Sequence, residues 1–134
     1  MSLGVSVKAV LQDDAGRVLL GRNPRDEWEL LGGRPDPEDS TPQDTLRREL
    51  LEEAGIAIDV GPILDSWIYD LGDLGRVCIV TYCATPANGA RLQVSDEHSD
   101  LRWFTADEAL AARMPQGYTD SIRAAEALAS PPAG

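Results

Sequence analysis

"RRELLEEAG", residues 47–55, sets three glutamates and two arginines among two leucines and an alanine. Apolar residues at 46, 50 and 54 recur at spacings of four, which predicts a helix with one packed stripe. At 3.6 residues per turn, Glu49, Glu52 and Glu53 stand at i, i+3 and i+4, within an arc of about 100°. The leucines can face a sheet while the carboxylates turn to one side. An ordinary solvated acidic face, with Arg48 pairing Glu52, is the bland alternative. Against it, like charges at these spacings repel by a few tenths of a kcal/mol per pair. They also sit in the half of the helix where the macrodipole disfavours them. A divalent cation would compensate, because Mg²⁺ takes oxygen ligands from a few carboxylates together with substrate phosphates.

Outward from this helix the signals are punctuated by proline and glycine. Thr41 is a good N-cap, Pro42 suits the first helical position, Asp44 favours the positive helix end and Gly55 is the expected stop. Upstream, "WELLGG" (28–33) reads as a short strand ending in a glycine pair, and "RPDPEDSTP" (34–42) as loop. "GVSVKAVLQ" and "RVLLGR" flank the turn "DDAG", which predicts a hairpin over residues 4–22. Downstream, 56–71 and 76–85 read as longer strands joined across "GDLG", and "LRWFT" (101–105) as a further strand. A short helix is expected behind Thr105 and a last helix over 119–129. Strands mixed with helices predict an α/β fold in which a mixed sheet packs between helices. The expected organisation is one domain over residues 1–129, with a disordered tail at 130–134.

The composition, 43% hydrophobic and 26% charged over 134 residues, is that of a globular protein with a proper core. No apolar run approaches the roughly 18 residues that span a bilayer, and no secretory leader is evident, so the cytoplasm is the expected location. A net charge of −11 opposes nucleic acid polymers and anionic membranes. A small anionic ligand is compatible with that charge if metal cations stand between it and the acids. Cys78 and Cys83 lie in one strand, about 16 Å apart and on opposite faces. They are expected to be free, buried thiols.

Taken with its surroundings, "RELLEEAGI" (48–56) resembles the Nudix hydrolases. Their box runs Gly, five residues, Glu, seven residues, then Arg-Glu-hydrophobic-any-Glu-Glu-any-Gly-hydrophobic. The second half matches at every specified position, and "WELLGGRPDPEDS" (28–40) looks like the usual lead-in. Over residues 31–56 the chain departs in three ways. Asp39 stands where the family has Glu, eight residues rather than seven separate it from Arg48, and Leu31 replaces a common proline. The outer acidic position therefore falls to Asp39 or to its neighbour Glu38.

The resemblance implies a Nudix-like α/β/α sandwich that hydrolyses the diphosphate linkage of a nucleoside diphosphate joined to another group. It implies Glu52 and Glu53 as metal ligands, Glu49 as ligand or general base, Arg48 as the residue orienting a glutamate, and the Gly32 carbonyl as a further ligand. Mg²⁺ is the expected cofactor, with Mn²⁺ as substitute. "SDEHSDLRWF" (95–104) resembles the family segment that brings another acid over the site, matching Glu97. His98 reads as loop surface. Arg22, Arg25 and Arg34 flank the expected mouth, and Arg22 and Arg34 are carried as phosphate-binding candidates. Trp28, Trp67 and Tyr69 read as packing, with base or sugar stacking as the alternative. The expected partner is a small nucleoside diphosphate derivative, and a homodimer is left open. The competing reading is a Nudix-like sensor domain that binds such a compound without cleaving it. The intact Arg48, Glu49, Glu52 and Glu53 favour the enzyme.

Overall fold

The computed structural model describes residues 3–90 and 100–129. Glu97, His98 and the expected tail at 130–134 lie outside the described residues. Strands β1 (Gly4–Leu11), β2 (Val18–Arg22), β3 (Trp28–Glu29) and β4 (Leu31–Gly33) precede helix α1 (Pro42–Ala54). After it come β5 (Ile58–Asp70), a single 3₁₀ turn at Gly72–Leu74, β6 (Arg76–Pro86), β7 (Leu101–Phe104), α2 (Ala106–Ala111) and α3 (Gln116–Ala129).

Two sheets result, a four-stranded one in the order β4-β1-β6-β5 and a three-stranded one in the order β3-β2-β7. The larger is mixed, since β1 runs parallel to β6 and antiparallel to β4. The expected hairpin over 4–22 is corrected by this arrangement. Both edges of β1 are taken by β4 and β6, so β2 joins β3 and β7 and meets the end of β1 only through the bridge between Gln12 and Val18. "WELLGG" likewise divides at Leu30, which is fully buried, into strands of different sheets.

Alternation along β1 and β6 sorts the core into two layers. Val7, Ala9, Leu11, Tyr82 and Ala84 pack with Leu46 and Leu50 of α1. Val10, Val77 and Ile79 pack with Tyr118, Ile122 and Ala125 of α3. The last helix starts at Gln116, three residues before its expected position, so Thr119 lies inside its first turn. The Thr119 hydroxyl donates to the Gln116 carbonyl at 2.8 Å. Cys78 and Cys83 are free but only half-buried. No helix among the described residues is long and apolar enough to cross a membrane.

Candidate active site

Helix α1 is fixed at both ends by the residues its sequence supplies. The Thr41 hydroxyl accepts from Asp44 N at 3.1 Å, and Gly55 closes the helix in the left-handed region at φ 62°. Leu46, Leu50 and Ala54 are buried, which sets the rotation of the helix and delivers its acids toward β4.

The three glutamates do not converge on one point. Glu53 is half-buried, and its Oε2 accepts from the Gly32 N–H at 3.3 Å. Glu49 lies over Gly33 so closely that an added Cβ there would stand 2.5 Å from the Glu49 Cδ. A side chain at 33 and the Glu49 carboxylate would compete for one space. Gly32, at φ 150°, has even less room, with an added Cβ only 1.9 Å from the Val7 carbonyl oxygen. The glycine pair thus lets β4 pass between β1 and the carboxylates. Glu52 is 59% exposed and reaches Arg48 at 3.4 Å.

Arg48 gathers the rest. Its guanidinium binds Asp39 through Nε–Oδ1 at 3.2 Å and Nη2–Oδ2 at 2.8 Å, and Glu49 through Nη1–Oε1 at 2.9 Å. Its Nη2 also donates to the Arg34 carbonyl at 3.2 Å. Asp39 is only 7% exposed at its side chain and accepts further from Asp36 N at 2.8 Å and Thr45 Oγ1 at 2.9 Å. Its lone pairs are filled by protein donors. The Arg48 guanidinium, then the Asp36 amide, hold its carboxyl far below the usual range, and Arg48 is raised in return. Between the two acids open to the outer position, Asp39 holds the arginine while Glu38 stays exposed. Asp39 N also closes a turn onto the Asp36 carbonyl at 2.9 Å.

Glu53 is perturbed in the other direction. Burial, opposed by the Lys8 ammonium and reinforced by the charge of Glu49, pushes it up to about 7. It borders an open cleft of ≈ 230 Å³ whose other walls come from β2, β3, β4 and the start of β7. Arg22 is on that cleft, held by an ion pair to Asp26 and lying over the Trp28 ring. Arg34 lines a separate groove with Gly4 and the β5–β6 turn. Arg25 pairs with Glu27 at 3.3 Å. Trp28 packs edge-on against Phe104, and Trp67 against Tyr118, with the buried Trp67 Nε1 finding no partner among the described residues. The reading from sequence missed Lys8 and Glu29, each a charge felt by Glu53. Both sit in short strand runs where a charged residue at an alternate position reads as solvated.

Among the described residues no group of three acidic, histidine or cysteine side chains is gathered as a metal site. The donor set still fits a hard divalent cation. Its members are all oxygens, and Glu53 is a half-buried carboxylate without a protein cation in ion-pair contact among the described residues. The spread of the glutamates follows from their mutual repulsion and from the pull of Arg48 on two of them.

The family model described as the NUDIX domain matches residues 2–125. The chain belongs to the Nudix family. A "MutT-like protein" from Streptomyces ambofaciens is 34% identical over 125 residues, covering 92% of this chain and 76% of the relative. The "CTP pyrophosphohydrolase" of Escherichia coli is 34% identical over 109 residues, covering 78% and 77% respectively. The solution structure of the E. coli ORF135 protein superposes with a TM-score of 0.72 at 29% identity, covering 96% of this chain and 91% of that one. The protein is a Nudix hydrolase, and the non-catalytic reading is set aside. In this Nudix hydrolase α1 is the box helix, and Gly32 and Gly33 are the glycines that precede it.

Proposed function

We propose that this Nudix hydrolase is a divalent-metal-dependent pyrophosphohydrolase cleaving the phosphoanhydride linkage of a small nucleoside diphosphate derivative. The observation that carries the reading is Glu53, a half-buried carboxylate on the cleft edge, held by a backbone N–H while Arg48 restrains its neighbours. A surface ion-pair helix has no use for a carboxylate kept in that position at the cost of raising it to about 7.

Glu49, Glu52, Glu53 and the Gly32 carbonyl would hold the metal, with Glu97 added from the segment outside the described residues. Mg²⁺ suits this oxygen set, and Mn²⁺ should replace it at least in part. A bound divalent cation supplies a water of lowered pKa and neutralises charge on the phosphate oxygens. Glu49 would serve as a ligand or as the base that takes the proton of the attacking water, with Arg48 orienting it through Nη1–Oε1 at 2.9 Å. The net charge of −11 favours a small nucleotide over a polymer. The name of one relative brings CTP to the head of the substrate panel.

The test is a panel of nucleoside triphosphates, dinucleoside polyphosphates, ADP-ribose and nucleotide sugars, with Mg²⁺, Mn²⁺ or excess chelator. Metal-dependent release of phosphate, pyrophosphate or a nucleoside monophosphate is the expected result. Turnover surviving exhaustive chelation, or none on the whole panel, overturns the reading.

A further inference from the structure

The cleft beside Glu53 has a second carboxylate on its wall that does not come from the box helix. Glu29 of β3 stands directly opposite Gly21 of β2, and both line the cleft. Across the glycine the walls are apolar. An added Cβ at Gly21 would meet Leu31 at 2.9 Å and Leu101 at 3.2 Å, so these two leucines close over the bare backbone. The result is a cleft with a two-leucine patch against Gly21 and a carboxylate acceptor beside it, the chemistry of a site for a flat, donor-bearing ring.

Glu29 is oriented, not loose. Its Oε2 accepts from Asn23 Nδ2 at 3.4 Å. Asn23 is only 8% exposed and is itself pinned, its Oδ1 accepting from Arg25 N at 2.9 Å and Glu27 N at 3.1 Å. Among the described residues the other Glu29 oxygen has no hydrogen-bond donor. Burial and then the charge of Glu29 push the Tyr118 phenol up, and the same charge reaches Glu53. The Glu29 charge is thus felt both at the box helix and at Tyr118. Arg22, the cation of the cleft, is already engaged by Asp26. Away from Glu53, Glu29 and Asp100 give this end of the cleft a negative field that disfavours phosphate and suits an uncharged donor.

We propose that Glu29 reads the nucleobase, favouring a base that presents an exocyclic amino group over one that presents a carbonyl at the same position. The inference rests on the reading of the chain as a nucleotide pyrophosphohydrolase. An amino group donates to the free carboxylate oxygen, whereas a carbonyl places two acceptors against each other and leaves both without a donor.

Two matched substrate pairs test this, CTP against UTP and ATP against ITP, each differing in an amino group replaced by a carbonyl. Wild-type kcat/KM should favour the amino member of at least one pair. Glu29→Gln keeps an acceptor for Asn23 and adds a donor, so it should lower that preference at least about tenfold, the value of one charged hydrogen bond. The loss should fall on KM of the amino substrate, with the melting temperature in chelator little changed. A wild type without preference, a ratio unmoved by Glu29→Gln, or equal losses on both members of a pair overturns the assignment. So does turnover confined to panel compounds outside both pairs, and in each of these cases the pyrophosphohydrolase reading stands. Absence of metal-dependent turnover on every nucleotide sinks that reading as well.

Discussion

Replacing Glu53 by glutamine separates the chemistry of α1 from its packing, because it removes a charge and almost nothing else. The amide oxygen can still accept from Gly32 N–H, and the side chain keeps its size and helix preference. The carboxyl of Glu53 is raised from an ordinary 4.5 to about 7, first by burial. The folded chain therefore holds a proton that the unfolded chain has already released between these values, and its stability falls as pH rises from 4.5 to 7. Above 7 the full cost of the buried charge is present, at most about 3 kcal/mol. Relaxation and partial solvation reduce it, so about 2 kcal/mol is the working figure.

Thermal melts in chelator should then show Glu53→Gln more stable than wild type near pH 8 by several degrees, at roughly 3–5 °C per kcal/mol for a chain of this size. Below about pH 4.5 the difference should vanish, since Glu53 is then protonated in the folded and the unfolded chain alike. With Mg²⁺ at about 100 times its dissociation constant, wild type should gain about 2.7 kcal/mol by mass action, and the variant distinctly less. Activity should fall by at least about a hundredfold. A variant that is destabilised at pH 8, or whose stability difference does not depend on pH, refutes the assignment of Glu53 as a strained, half-buried acid. A variant with wild-type turnover refutes its place in the reaction.

The glycine pair gives a second contrast. Gly33→Ala displaces only the movable end of Glu49 and should fold with a small loss of melting temperature but reduced kcat, whereas Gly32→Ala meets the Val7 carbonyl at a strained φ and should lose several degrees. Equal stability of the two variants would count against this geometry. At the loop, Asp39→Asn should cost roughly 10- to 100-fold in activity, the range for a residue that orients a ligand, and less than Glu53→Gln. Because the folded carboxyl of Asp39 is depressed, its contribution is present above its ordinary 3.8 and lost as pH falls below it. Melts of wild type and Asp39→Asn should therefore converge in strong acid, and a gap that persists there contradicts the ion-pair role.

What could be read in the sequence was what is encoded locally. Thr41, Pro42, Asp44 and Gly55 specify the ends of α1 through contacts no more than a turn away, and the spacing of Leu46, Leu50 and Ala54 specifies its buried side. The same reasoning fails for residues 4–22, where strand, turn and strand read alike whether the strands pair with each other or with distant ones. The deciding fact is that residues 31–33 and 76–86 occupy both edges of β1, which no local pattern reveals.

The site divides along the same line. The glutamates of the helix declare themselves by spacing, but their different fates come from elsewhere. Glu49 meets the bare backbone of Gly33, Glu53 meets Gly32 N–H, and Glu52 is exposed and reaches Arg48. The choice between Glu38 and Asp39 turns on which can fill its lone pairs from Arg48, Thr45 and Asp36 at once, a property of the folded loop and not of side-chain length. Glu29 was hidden most completely. In "WELLGG" it is one charged position in a short strand, and it acquires meaning only when Gly21 pairs with it and Leu101 is brought against Gly21 from far along the chain. Box helices are legible because the metal demands a fixed spacing of acids on one element. The cleft that we propose takes the base is assembled from single residues on several strands, so its lining has no linear signature.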